Sequence, residues 1–135
     1  MPKDSLVLVD TSAWIDYFLQ KNSHLEQILD ARLETGEIAT ATVILAELTQ
    51  GAKSEKEIKK LKEYFQPLHW IQSADIHWHM AGALSFQMRQ KGKKVNLTDC
   101  YIAALARQSG ASILSLDKHF LWLAQSGACS LLEIS

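Results

Sequence analysis

Short apolar runs alternate along this chain with longer segments in which apolar residues recur at helical spacing. The runs that predict strands are residues 6–9, 38–40, 68–71, 112–116 and 130–134. Glycine follows several helical patterns, as at Gly51, Gly92 and Gly110, where it can end a helix. Because strands that are joined by helices usually pair in parallel, this order predicts an α/β fold with a largely parallel sheet.

The length and composition predict one domain that spans residues 1–135. The 135 residues are 47% hydrophobic, which is enough for one compact core and too little for two. No apolar segment approaches the roughly 20 residues of a membrane span, and residues 1–6 lack the apolar stretch of a signal peptide. Cys100 and Cys129 have apolar surroundings and no CxxC spacing, as expected of reduced core residues. We therefore expect a cytoplasmic protein without membrane contact.

Four acidic residues stand inside or at the edge of apolar stretches, where an uncompensated carboxylate is costly to bury. They are Asp10, Glu47, Asp99 and Asp117. Most of the other acidic residues lie among Lys, Gln or Ser and need only water. No Lys or Arg lies close enough in sequence to pair with all four acids. A shared cation is the simplest way to stabilise them.

The four acids are predicted to meet at one edge of the sheet. Asp10 and Asp117 directly follow predicted strands, and sites in parallel sheets form beyond the carboxyl ends of the strands. Asp99 falls in the first turn of a helix that Thr98 can cap, and Glu47 lies in a helix that follows a predicted strand. Four carboxylates without a paired His or Cys nearby favour Mg²⁺ or Mn²⁺ over zinc.

The overall charge gives no sign of a nucleic-acid partner. The 14 basic and 15 acidic residues give a formal charge of −1, so binding of RNA would need a local basic patch. The best such patch is Arg-Gln-Lys-Gly-Lys-Lys at residues 89–94, shortly before Asp99. This run predicts either a contact with RNA phosphates or a solubilising turn.

Four segments resemble, in order, the motifs of a known family. Residues 9–15 (VDTSAWI) are similar to the opening motif of PIN-domain ribonucleases, particularly the VapC toxins of prokaryotic toxin–antitoxin pairs. The other three motifs of the family resemble residues 41–48 (ATVILAEL), 99–106 (DCYIAALA) and 115–120 (SLDKHF). Ser115 stands where threonine is more usual, and the hydroxyl group is kept. Each motif alone is weak, but the ordered set covers nearly the whole chain and is specific.

The resemblance implies a three-layer PIN-like sandwich in which a central, mainly parallel sheet of about five short strands is flanked by helices. It also implies a Mg²⁺- or Mn²⁺-dependent endoribonuclease. The acids that match the family motifs, and that would serve as catalytic and metal-binding residues, are Asp10, Glu47, Asp99 and Asp117. Cleavage of this type leaves a 5′-phosphate and a 3′-hydroxyl without a covalent intermediate.

The resemblance further implies three partners. The substrate would be RNA, and a small antitoxin protein would lay an apolar segment into a groove near Trp14, Phe18 and Leu48. A homodimer is also expected.

Two other functions remain open from the sequence. An aspartyl-phosphate enzyme also places an Asp after its first strand, but a haloacid-dehalogenase-like phosphatase needs a second Asp where this chain has Ser12. A receiver domain would need adjacent acids at that strand and a Lys after a late strand, for which only Lys118 is available. The second alternative is a binding module without catalysis on the PIN fold, and the four retained acids count against it.

Overall fold

The computed structural model describes residues 6–134, so the predicted absence of a signal peptide at the start falls largely outside the described part of the chain. The strands are β1 (Val7–Val9), β2 (Ile38–Thr40), β3 (His69–Trp70) and β4 (Ser112–Leu114). The helices are α1 (Thr11–Leu19), α2 (Ser23–Thr35), α3 (Thr42–Gln50), α4 (Glu55–Phe65), α5 (Asp75–Gln90), α6 (Leu97–Ser109) and α7 (Lys118–Gln125).

The strands described between residues 6 and 134 form one sheet in the order β3-β2-β1-β4, and all neighbouring pairs are parallel. The predicted α/β fold, with a mainly parallel sheet flanked by helices, is therefore confirmed. The sheet has four strands rather than about five. The predicted strand at residues 130–134 forms only an isolated parallel bridge, between Ile113 and Leu131.

The parallel arrangement brings the carboxyl ends of the strands to one edge of the sheet. The central strand β1 is buried throughout and is followed at once by Asp10. Its neighbour β4 is followed by residues 115–117, and its other neighbour β2 leads through Ala41 into α3. Three of the predicted acids are thus carried by the segments that leave adjacent strands.

Helix α6 carries the remaining acid and is the most buried helix in the described chain, with Asp99 to Ala106 all buried. It packs along α5 and also contacts α7 and β4. Asn96 caps this helix, because its Oδ1 accepts a hydrogen bond from the Asp99 N–H at 2.8 Å. The predicted cap at Thr98 is therefore wrong, since the helix already begins at Leu97.

Candidate active site

Asp10 lies at the junction of β1 and α1 and is only 4% exposed. It is the N-cap of α1, and its Oδ1 accepts a hydrogen bond from the Ser12 N–H at 2.7 Å. Its Oδ2 accepts a hydrogen bond from Ser12 Oγ at 3.0 Å and another from Ser115 Oγ. Because β1 and β4 are neighbours, the hydroxyl of Ser115, which follows β4, orients Asp10, which follows β1.

The hydroxyls of Ser12 and Ser115 join these two segments. Their Oγ atoms are 3.3 Å apart. The Leu116 N–H donates to Ser12 Oγ at 3.0 Å, and the Asp117 N–H donates to Ser115 Oγ at 3.0 Å. This network holds Asp117 near Asp10, so the serine found where the family more often has threonine contacts both acids.

Asp99, Asp117 and His119 form a compact cluster, in which one ligand atom from each residue lies within 4.8 Å of the others. His119 Nδ1 is 3.4 Å from Asp99 Oδ2 and 3.4 Å from Asp117 Oδ1. Asp117 is the N-cap of α7, and its Oδ1 accepts a hydrogen bond from the His119 N–H at 2.9 Å. The cap turns the start of α7 so that the imidazole lies between the two carboxylates.

Two buried atoms of this cluster, Asp99 Oδ2 and His119 Nδ1, make no hydrogen bond. Leaving a buried polar atom without a partner costs about 1–3 kcal/mol. A divalent cation that bound both atoms would give each of them a partner, with the imidazole nitrogen acting as a neutral ligand. The donor set therefore fits a metal ion.

The sequence prediction did not assign His119 to the site, because it looked for a paired His or Cys near the acids and not for a single one. The signal was available, because a residue two positions after an N-cap Asp stays close to the cap. Two carboxylates with one imidazole suit Mn²⁺, but by ligand type they also suit zinc. The sequence argument against zinc therefore loses part of its basis.

Glu47 lies on α3, outside that compact cluster. Its Oε1 accepts a hydrogen bond from Thr11 Oγ1 at 2.6 Å. Thr11 is the residue after Asp10, so this bond places Glu47 at the border of the same site. The structure thus brings Asp10, Asp99 and Asp117 within electrostatic reach of one another and attaches Glu47 through Thr11.

The crowding of carboxylates changes their acidity. Burial raises the pKa of Asp10 above its ordinary value of 3.8 and the charge of Asp117 adds to this, although hydrogen bonds from Ser115 and Ser12 lower it. Burial, and then the charges of Asp117 and Asp10, raise the pKa of Asp99 to about 6, while His119 lowers it. At neutral pH the site therefore holds charge repulsion that a bound cation would relieve.

Comparison with known proteins agrees with this geometry. The family model described as "PIN domain" matches residues 7–124. "VapC ribonuclease Mb1587" of Mycobacterium bovis is 31% identical over 121 residues, covering 85% of this chain and 89% of that protein. "Ribonuclease VapC11" of Mycobacterium tuberculosis matches with the same identity and coverage.

Solved structures share the fold at lower identity. A DNA-bound VapBC from Salmonella typhimurium superposes with a TM-score of 0.78 at 18% identity, covering 96% of this chain and 98% of that one. VapBC2 from Rickettsia felis, bound to a fragment of promoter DNA, superposes with a TM-score of 0.75 at 20% identity, covering 94% of this chain and 97% of that one.

The family match favours the nuclease over the aspartyl-phosphate alternative. Because the PIN-domain family model matches residues 7–124 and a VapC ribonuclease is 31% identical, this chain belongs to the PIN-domain family.

Proposed function

We propose that this chain is a metal-dependent endoribonuclease and the toxin of a VapBC-type toxin–antitoxin pair. The convergence of Asp10, Asp99 and Asp117 at one sheet edge, with Asp99 Oδ2 buried and without a hydrogen bond, is the observation that carries the proposal. A fold gains no stability from mutually repelling carboxylates, whereas hydrolysis of a polyanion needs a cation near the reacting phosphate. The relatives named VapC ribonuclease support the same activity.

The groups proposed to hold Mg²⁺ or Mn²⁺ are Asp10, Asp99 and Asp117, with His119 beside them and Glu47 at the border. Carboxylate oxygens suit both ions, and the His119 nitrogen favours Mn²⁺ over Mg²⁺. The bound cation would supply positive charge to the phosphate oxygens and make water more acidic. Asp99 sits on a buried, capped helix, which keeps its carboxylate in place before any ligand arrives.

The remaining residues position the reactants. Ser12 and Ser115 fix the carboxylate of Asp10 through hydrogen bonds to both of its oxygens. Glu47 is held by Thr11 through one oxygen, and its second oxygen can accept a hydrogen bond from water. We propose that Glu47 orients the water that attacks phosphorus and takes up its proton.

A cleavage assay on purified protein tests this proposal. Asp10→Asn or Asp99→Asn should reduce cleavage of single-stranded RNA by at least a hundredfold in Mg²⁺ or Mn²⁺, because an amide supplies no ligand charge. Asp75→Asn is the matched control, since Asp75 is exposed in the first turn of α5. Cleavage that persists in excess chelator, or in both site variants, would refute the metal mechanism. An absence of any cleavage by wild type with each metal would favour the non-catalytic binding module.

The proposed antitoxin needs an apolar surface, which the sequence predicts near Trp14, Phe18 and Leu48. Trp14 is fully buried and Leu48 is only 8% exposed, so neither can line a groove. Phe18, Leu61 and Tyr64 instead border an open groove of about 270 Å³ between α1 and α4. We propose that the antitoxin docks there. Co-expression tests this: Phe18→Asp should abolish co-purification of a small protein encoded beside this one.

The proposed setting is the cytoplasm, where cellular RNA is available. Cys100 and Cys129 are free thiols, which suits a reducing compartment. None of the helices found between residues 6 and 134 is long and apolar enough to cross a membrane. We also propose a homodimer, which sedimentation of the purified protein would test.

A further inference from the structure

Two lysines and a tryptophan form a basic and aromatic surface beside the acids, which we call the Trp122 platform. It consists of Lys93, Lys118 and Trp122. Lys118 Nζ lies 5.4 Å from the centre of the Trp122 ring, and Lys93 Nζ lies 5.7 Å from it. Both distances are within the range of cation–π attraction. Lys118 is exposed, while Lys93 and Trp122 are half-buried.

The position of Lys93 is set by the turn that follows α5. Gly92 has φ +77°, and the Lys93 N–H donates to the Met88 carbonyl at 2.9 Å. This left-handed turn reverses the chain after the helix and directs Lys93 to Trp122 on α7. Of the two readings of residues 89–94, a phosphate contact or a solubilising turn, the placement of Lys93 favours the first.

The platform is continuous with the acidic site. The ring of His119 lies 5.3 Å from that of Trp122, between centroids. The same imidazole is 3.4 Å from carboxylate oxygens of Asp99 and Asp117. One side chain therefore separates the acids from the platform, so a strand that places a phosphate at the acids can reach Trp122 with a neighbouring nucleotide.

Charge makes this surface suited to a polyanion. The chain as a whole has a formal charge of −1, and a cluster of carboxylates repels RNA until a cation binds. Lys93 and Lys118 bring two ammonium groups to one ring beside these acids, and phosphate oxygens can pair with both. An indole offers a flat surface on which an unpaired base can stack.

We infer that the Trp122 platform binds single-stranded RNA next to the cleavage site, with Lys93 and Lys118 contacting phosphates and Trp122 contacting a base. This inference rests on the proposed ribonuclease function and deepens it. It specifies an unpaired strand, because bases stacked in a duplex cannot reach the indole.

Fluorescence anisotropy with a labelled single-stranded oligoribonucleotide tests the platform. The double variant Lys93→Ala/Lys118→Ala should bind at least tenfold more weakly in an Asp99→Asn background, which removes cleavage. The plot of log Kobs against log salt, whose slope is negative, should become shallower by about 1.4, for two lost phosphate contacts on a single strand. The matched control is Lys56→Ala/Lys59→Ala, which removes two exposed lysines from α4. In the wild-type background the platform variant should raise KM more than it lowers kcat.

A second variant separates stacking from packing, because Trp122 also packs against the core. Trp122→Leu should weaken RNA binding at least fivefold, whereas Trp122→Phe should retain most of it, with circular dichroism confirming that both are folded. If wild type cleaves RNA but the lysine variant matches its control in KM, affinity and salt slope, the platform is overturned while the ribonuclease function stands. If wild type neither binds nor cleaves RNA, both fail. Loss of antitoxin binding with unchanged RNA affinity would assign the surface to a protein partner and overturn the inference.

Discussion

Replacing Asp99 by Asn should stabilise the metal-free protein at pH 7.5. In wild type Asp99 is 8% exposed, and burial first, then the charges of Asp117 and Asp10, disfavour its ionised form. The amide keeps the shape of the side chain and removes the charge. The variant therefore loses the repulsion while α6 keeps its cap, because Asn96 accepts from the backbone N–H of residue 99.

The magnitude follows from the acidity of the group. A pKa raised from 3.8 to about 6 corresponds to about 3 kcal/mol of cost to the ionised form in the folded state. This cost already includes the interaction of the carboxylate with the N-terminus of α6, so only a buried amide without partners, at about 1 kcal/mol, is subtracted. A net gain of about 2 kcal/mol remains, equivalent to a rise in Tm of roughly 7 °C.

Thermal melts in chelator measure this gain, with Asp75→Asn as the control for loss of a helix-dipole charge. Because the folded pKa of Asp99 is raised, its stabilising protonation is complete below pH 3.8 and is lost as the pH rises through about 6. The advantage of the variant should therefore be smaller at pH 5 and disappear by about pH 4. Added Mn²⁺ should reverse the order by stabilising wild type, by about 2.7 kcal/mol at a hundredfold excess over Kd. A variant less stable than wild type at pH 7.5 in chelator would refute the repulsion argument.

Three further substitutions test the neighbours of the acids. Ser115→Ala removes a hydrogen bond to Asp10 and should cost about 1–2 kcal/mol in urea unfolding, while Ser115→Thr should restore it. His119→Ala should weaken Mn²⁺ binding by about tenfold in calorimetry and Mg²⁺ binding less, because imidazole is the softer ligand; equal effects on both ions would exclude it as a ligand. Glu47→Gln can still accept from Thr11 and should lower kcat with little change in metal affinity, whereas a large loss of affinity would make it a metal ligand.

The positions of Asp10 and Asp117 were predictable because a parallel sheet puts the ends of its strands at one edge. Both acids directly follow short apolar runs, and the structure places β1 and β4 side by side. Asp99 was predictable from the start of an apolar helix, although its cap is Asn96 rather than Thr98. These predictions needed only local patterns and one rule of topology.

The predictions that failed depend on which segments cover one another. His119 enters the site through the turn at the start of α7, and the spacing of residues does not give the distance of its imidazole from Asp99. The helical spacing of Trp14 and Phe18 also does not say which of them lines a groove: Trp14 packs against Phe65 of α4 and is buried, whereas Phe18 is exposed. Periodicity identifies an apolar face but does not say which element lies on it.

The chemistry of the cleaved ends tests the central claim most directly. Wild-type protein should cut a defined single-stranded RNA in ¹⁸O-water with Mn²⁺, where attack of water on phosphorus breaks the bond to the 3′ oxygen. Mass spectrometry should then show a 5′-phosphate carrying one ¹⁸O atom and a 3′-hydroxyl, with no products in chelator. A 2′,3′-cyclic phosphate, or products formed equally well in chelator, would mean that the 2′-hydroxyl is the nucleophile and that the acids do not hold a catalytic metal.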